Sequence, residues 1–209
     1  MHGSLAAPSW LNGWGFPIIY PRSSALRGVD ASFLGWDRSA PEYDLVYCGA
    51  MDGARNLIPW ISQIMAGLPG ARFLLIGPPS AAIWKAFKAH PSVVFSGRVP
   101  YAEVPGLLAK AEYGLNLIPV RYPFHIHLNL KLLEYCAVGL KVITTSTAWV
   151  RQFEQQRQGR FFYLGQKDSP LSWEPLRRFP FETPSVDDLV WERLLESSGI
   201  TALLGRLTG

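Results

Sequence analysis

The run Asn129-Leu130-Lys131-Leu132-Leu133-Glu134-Tyr135-Cys136-Ala137-Val138-Gly139-Leu140-Lys141-Val142-Ile143-Thr144-Thr145 decides the fold class. From Asn129 to Val138 the apolar residues recur at helical spacing, behind an asparagine suited to an N-cap. Gly139 is the residue type that ends helices in the left-handed conformation. Lys141 to Thr145 then reads as a strand that both faces of a sheet bury. A helix, a glycine stop and a buried strand make the second half of a parallel crossover unit.

The same rhythm extends in both directions. Upstream, strands are predicted at Leu45 to Cys48, Arg72 to Ile76, Val93 to Phe95 and Tyr113 to Val120. Helices are predicted at Leu57 to Ala66, Ala81 to Ala89 and Tyr101 to Ala111, the last with Pro105 near its first turn, where proline is tolerated. Downstream follow a helix over Ala148 to Gln155 and a strand over Arg160 to Leu164. Strands that alternate with helices, each strand a continuous apolar run, predict a Rossmann-like α/β domain: a parallel sheet with helices on both faces. It is assigned to 41–165. Residues 1–40 are rich in Gly, Pro, Ser and Trp and read as an N-terminal arm and linker, with one short strand at Pro17 to Tyr20. In 166–209, Pro170, Pro175, Pro180 and Pro184 space an extended arm, and Val186 to Leu195 reads as a terminal helix capped by Ser185.

Of the 209 residues, 48% are hydrophobic and 17% charged, which provides a sizeable core and excludes global disorder. The net charge of +4 is scattered over sites such as Arg151, Arg157, Arg160, Arg177 and Arg178, so no nucleic-acid partner is expected. An anionic small ligand, or at most a peripheral attraction to an acidic membrane surface, fits the charge. Apolar runs break well short of a membrane span. Met1 to Gly15 lacks a basic leader and is not read as a signal peptide. Cys48 and Cys136, the two cysteines, sit in apolar segments and predict reduced thiols in a cytoplasmic protein. The eight tryptophans read as core and docking residues.

In an open parallel sheet the ligand lies beyond the carboxyl ends of the strands. The segment after the fourth strand therefore carries the main candidate site. Asn129 and Leu130 open a helix whose free N–H groups suit a diphosphate, and Lys131 adds a charge on the first turn. Glu134 lies on the same face, where a carboxylate can accept hydrogen bonds from a ribose diol. Against this stands an ordinary helix with a solvated Lys–Glu pair. Gly49 to Asn56 is the second candidate: Gly49 admits a close ligand and Arg55 can hold a phosphate, the plainer reading being a turn capped by Asp52. His125 and His127 lack a third ligand, so no metal site is expected. His127 and Pro119 remain candidates for contact with a sugar. No nucleophile elbow surrounds Ser62, Ser146 or Thr147.

These segments resemble, in order, the C-terminal donor-binding domain of GT-B glycosyltransferases, in particular glycosyltransferase family 4. The match runs from Gly28-Val29-Asp30 and Phe33 (an inter-domain linker), through Tyr43 to Asp52 (first strand and glycine turn). It continues through Pro69 to Gly77, Val94 to Pro100, Leu107, Leu108 and Ala111, and ends on Asn129 to Tyr135, Gly139 and Val142 to Thr145. The resemblance implies one half of a GT-B fold that binds a UDP- or GDP-sugar as substrate, with no cofactor and no metal. It places Glu134 on the ribose, Lys131 and the helix start by the diphosphate, Arg55 on the phosphates, and the backbone of Arg98 and Val99 by the nucleobase. Two positions depart from the pattern: Ile126 stands where the first of a glutamate pair is usual, and Ala50 where arginine is common.

The resemblance further implies an acceptor, a glycan or lipid-linked sugar, held by another domain or by a partner subunit. Residues 166–209 would then dock on that domain. The alternative is a degenerate, non-catalytic relative that serves as an interaction module, favoured by Ile126 and Ala50. A sugar-nucleotide epimerase or phosphorylase is a third reading, against which stands the lack of a cofactor-lysine motif.

Overall fold

In the computed structural model, residues 28–119, 129–165 and 171–198 are described below. Six strands, β1 (Tyr43–Cys48), β2 (Phe73–Ile76), β3 (Val93–Gly97), β4 (Ala111–Asn116), β5 (Lys141–Thr144) and β6 (Phe162–Tyr163), form one sheet in the order β3-β2-β1-β4-β5-β6. Every neighbouring pair is parallel. The helices are α1 (Leu57–Gly67), α2 (Ala81–Phe87), α3 (Val104–Ala109), α4 (Leu130–Val138), α5 (Ala148–Arg157), α6 (Trp173–Arg178) and α7 (Trp191–Ser197). The Rossmann-like sheet expected from the strand rhythm is present.

Strand residues alternate between two apolar clusters, one on each face. Val46, Leu74 and Val142 join Leu108, Leu132, Tyr135 and Val150. Leu45, Tyr47, Phe73, Tyr113 and Ile143 join Leu57, Ile61 and Leu176. Both faces of the central strands are buried, which is why Leu45 to Tyr47, Phe73 to Ile76 and Val142 to Ile143 read as apolar runs. Helix α4 buries Leu132, Leu133, Tyr135, Cys136 and Val138. At about 1.5–3 kcal/mol for each large aliphatic side chain, that stripe anchors the helix. Its end is a Schellman motif: Gly139, at φ 81°, donates to the Cys136 carbonyl, and Leu140 donates to that of Tyr135 at 2.9 Å.

Several boundaries differ from the sequence expectations. The stretch predicted as one helix from Tyr101 is a 3-10 turn (Tyr101–Glu103) followed by α3. Strand β4 begins at Ala111, where it pairs with Tyr43, and ends at Asn116 rather than Val120. Beyond Asn116 the Ile118 N–H turns to the Thr145 hydroxyl instead of a ladder partner. Strand β6 is shorter than expected because Arg160 bridges Glu182 in the antiparallel sense. Pro175 does not prevent α6: it lies in the first turn, where its missing N–H has no partner to lose. The terminal helix starts at Trp191 because Val190 is extended and bridges Val29. Ser185 accepts from the Asp187 N–H in the preceding turn and does not cap α7. The strand expected at Pro17 to Tyr20 lies outside the described residues.

The segment before the sheet and the segment after it run together. Val29 donates to the Leu189 carbonyl at 2.9 Å, and Trp191 donates to that of Val29 at 3.2 Å. From Leu176 to Val190 the tail contributes Leu176, Val186, Leu189 and Val190 to the chain's own core. Arg38 ties the linker down from the other side. Its guanidinium donates to the carbonyls of Gly139, Ala111 and Glu112, joining the end of α4 to the start of β4. No helix among the described residues is long and apolar enough to cross a membrane.

Candidate functional site

The strand order reverses between β1 and β4, and the carboxyl ends of these two strands define the topological switch point. Their pairing runs from Tyr43↔Ala111 to Val46↔Gly114. Further along, β1 stays with β2 to Cys48↔Ile76. Tyr135 of α4 fills the resulting gap. Its hydroxyl accepts from the Cys48 N–H at 2.9 Å and points its own proton toward the Leu115 carbonyl at 3.4 Å. The ring occupies the space a side chain on Gly114 would need: a Cβ there would lie 2.7 Å from it. One side chain thus pins β1, β4 and α4 together beneath the site. Tyr135→Phe is expected to cost about 1–2 kcal/mol by leaving the partly buried Cys48 N–H without a partner. The denaturant midpoint should fall, and the Cys48 amide should exchange faster with solvent.

Above this pin the sequence-selected residues converge. Gly49, at φ 132°, turns the chain out of β1, and Lys131 returns across it. A Cβ on Gly49 would stand 3.2 Å from Lys131 Cε and 3.3 Å from Nζ. The Lys131 ammonium lies 3.7 Å from the centroid of the Tyr47 ring, a cation–π contact. Tyr47 is in turn fixed by donating to the Ala50 carbonyl at 2.9 Å. Burial pushes the Lys131 amine down to about 7, with Arg55 acting in the same direction and Cys48 and Glu134 opposing it. Burial also raises the Cys48 thiol to about 11, so this neighbour is not a thiolate at neutral pH.

Lys131 and Glu134 do not pair with each other. Glu134, half-buried, accepts at Oε1 from the Tyr101 hydroxyl at 3.1 Å. Burial raises its carboxyl, opposed by the Tyr101 hydrogen bond and by Lys131. The solvated Lys–Glu pair considered for this helix is therefore replaced by two separately held groups.

Asn129 is the N-cap expected of it, accepting from the Leu132 N–H at 3.2 Å. Its amide also donates to Asn116 Oδ1 at 2.7 Å, and Asn116 donates to the Thr144 hydroxyl at 2.9 Å. Asn116, Thr144 and Thr145 are buried, so the start of α4 is fastened to the ends of β4 and β5 by a satisfied polar network. The side chain of Asn129 is committed to that network. Its helix still offers backbone: among the described residues, the N–H groups of Leu130 and Lys131 have no hydrogen-bond partner. Leu130 itself is exposed.

Arg55 lies at the rim, in an ion pair with Asp52 at 2.7 Å, and Asp52 caps its turn as the plainer reading held. Arg98 is exposed after β3, and Val99 packs partly against the core. Pro119 ends the described stretch that follows β4. His125, Ile126 and His127 lie outside the described residues. The sequence assigned no role in the site to Tyr47, Tyr101, Asn116 or Tyr135. Gly114 carried a signal for the last of these, because a glycine inside a strand marks close approach of another group.

A six-stranded parallel sheet in this order, with a cation and a carboxylate on one helix at its switch point, defines a Rossmann-like α/β architecture. The chain belongs to the glycosyl transferases group 1 family, whose model matches residues 42–172. No curated protein matches it. Among solved structures it is similar to AviGT4, a glycosyltransferase involved in avilamycin A biosynthesis, at 18% identity and a TM-score of 0.55, covering 87% of this chain and 55% of that one. It is also similar to sucrose-phosphate synthase from Thermosynechococcus elongatus, at 13% identity and a TM-score of 0.59, covering 87% of this chain and 52% of that one. The chain spans about half the length of these proteins, and its fold is that of one half of a GT-B glycosyltransferase.

Proposed function

We propose that the chain is the donor-binding half of a glycosyltransferase and takes a UDP- or GDP-sugar at the β1–β4 switch point. The observation that carries this reading is the separate holding of Lys131 and Glu134 on one face of α4, beside the open turn at Gly49. The diphosphate would lie over Gly49, against Lys131 and the free N–H groups opening α4, with Arg55 at the rim. The ribose diol would donate to Glu134. The nucleobase would face the backbone at Arg98 and Val99.

Transfer breaks the bond between the sugar's anomeric carbon and the diphosphate oxygen, and the leaving diphosphate gains charge. Lys131 and the helix start would stabilise that charge without a metal ion, and preorganised donors of this kind are the largest contributors to such catalysis. The acceptor, a glycan or lipid-linked sugar, forms the new bond through a hydroxyl oxygen and loses its proton. It would be held by a second domain or subunit that closes over the site.

Thermal unfolding with added ligands tests the reading. A nucleoside diphosphate should raise the midpoint while the free nucleoside and inorganic pyrophosphate alone do not. Glu134→Ala should weaken the effect by about tenfold in ligand concentration, the worth of one charge-assisted hydrogen bond. Protection that is equal in wild type and Glu134→Ala would place the ribose elsewhere. The absence of protection by any diphosphate would favour the non-catalytic interaction module.

A further inference from the structure

Tyr101 is the exposed aromatic residue of the site. The residue is 54% exposed, so it is no core residue. It is nevertheless held at two points. Its ring lies 5.3 Å from that of Phe33, which is fully buried in the linker segment. Its hydroxyl donates to Glu134 Oε1 at 3.1 Å. The chain reaches this position through Gly97, at φ 68°, and a 3-10 turn in which Glu103 donates to the Pro100 carbonyl. Among the described residues, Glu134 Oε2 has no hydrogen-bond partner.

We propose that Tyr101 is a positioning residue for ribose recognition: its hydroxyl occupies Glu134 Oε1, fixes the carboxylate, and leaves Oε2 aimed at the sugar diol. This rests on the reading of Glu134 as the ribose ligand. A glutamate has three side-chain torsions, and an unheld one must be ordered when ligand binds. Tyr101 orders it beforehand. Because Phe33 belongs to the segment that pairs with the tail at Leu189 and Trp191, the same contact ties the carboxylate to the linker.

Tyr101→Phe removes the hydroxyl and keeps the ring on Phe33. The test compares binding of a ribonucleoside diphosphate and its 2′,3′-dideoxy analogue to the whole chain, in wild type and in Tyr101→Phe. The wild type should prefer the ribonucleotide by about tenfold or more. In Tyr101→Phe that preference should shrink about fivefold, with the dideoxy affinity unchanged and the unliganded melting temperature held. A second readout needs no nucleotide: the Glu134 carboxyl, followed by NMR titration, should titrate higher in Tyr101→Phe because a donor to its charged form is lost. An unchanged preference, an equal loss of both ligands, or an unchanged Glu134 titration would overturn the proposal. A wild type that binds both nucleotides equally would instead overturn the assignment of Glu134 to the ribose, and this proposal with it.

Discussion

Lys131→Met is expected to weaken binding of a nucleoside diphosphate by about 10–100-fold, the loss of one charge-assisted hydrogen bond in a partly dry site. Methionine keeps much of the stem that lies beside Gly49, so the fold should survive. The pH dependence makes the prediction specific. The free amine titrates near 7 because it is buried beside Tyr47. A bound diphosphate favours the ammonium, so the bound form titrates higher and binding takes up a proton. Below pH 7 the amine is already charged, and this group adds no slope. Above pH 7 affinity should fall with rising pH, approaching about tenfold per unit before the bound form also titrates. Calorimetry between pH 7.5 and 9 keeps the ligand's phosphates ionised and isolates the lysine. The slope should vanish in Lys131→Met. A slope that persists there would assign the proton to another group.

Gly114→Ala is expected to destabilise the chain by about 2–4 kcal/mol, through overpacking and the loss of a partly buried hydrogen bond. The added methyl would stand 2.7 Å from the Tyr135 ring, in the middle of a strand paired on both sides. Neither neighbour can retreat cheaply. The ring can move only by withdrawing its hydroxyl from Cys48 or by lifting α4 from the sheet. For a chain of this size the midpoint should drop by roughly 5–12 °C. Combining it with Tyr135→Leu should cost less than the sum of the two single changes, because the smaller side chain removes the clash. Strict additivity in that cycle would show that the glycine is not there to admit the ring.

The architecture was legible because its signals are local. Apolar runs set between helical patterns marked every strand of the sheet, and Asn129 and Gly139 bracketed α4 as their chemistry requires. The strand order is a tertiary property, so the switch point between β1 and β4 could be located only in space. The errors at strand and helix ends have the same origin. Val190 is extended because Val29 pairs with it, and β4 stops at Asn116 because the next free amide, that of Ile118, finds the Thr145 hydroxyl.

The site was legible in part. Lys131 and Glu134 stood out as opposite charges on one helical turn at the end of a long loop. Their actual partners, Tyr47 and Tyr101, are distant in sequence and carry no local mark. Asn129 was read correctly as a cap. Its second bond to Asn116 depends on β4 ending beside the start of α4, which spacing along the chain does not encode.

The most direct test of the account is calorimetric titration of UDP, GDP and ADP into the whole chain, repeated with Lys131→Met and Glu134→Ala. The account predicts that UDP or GDP binds with one site per chain and that both substitutions weaken it. A folded protein that takes up none of the three, or that binds one equally well in both variants, would contradict a donor site at the β1–β4 switch point.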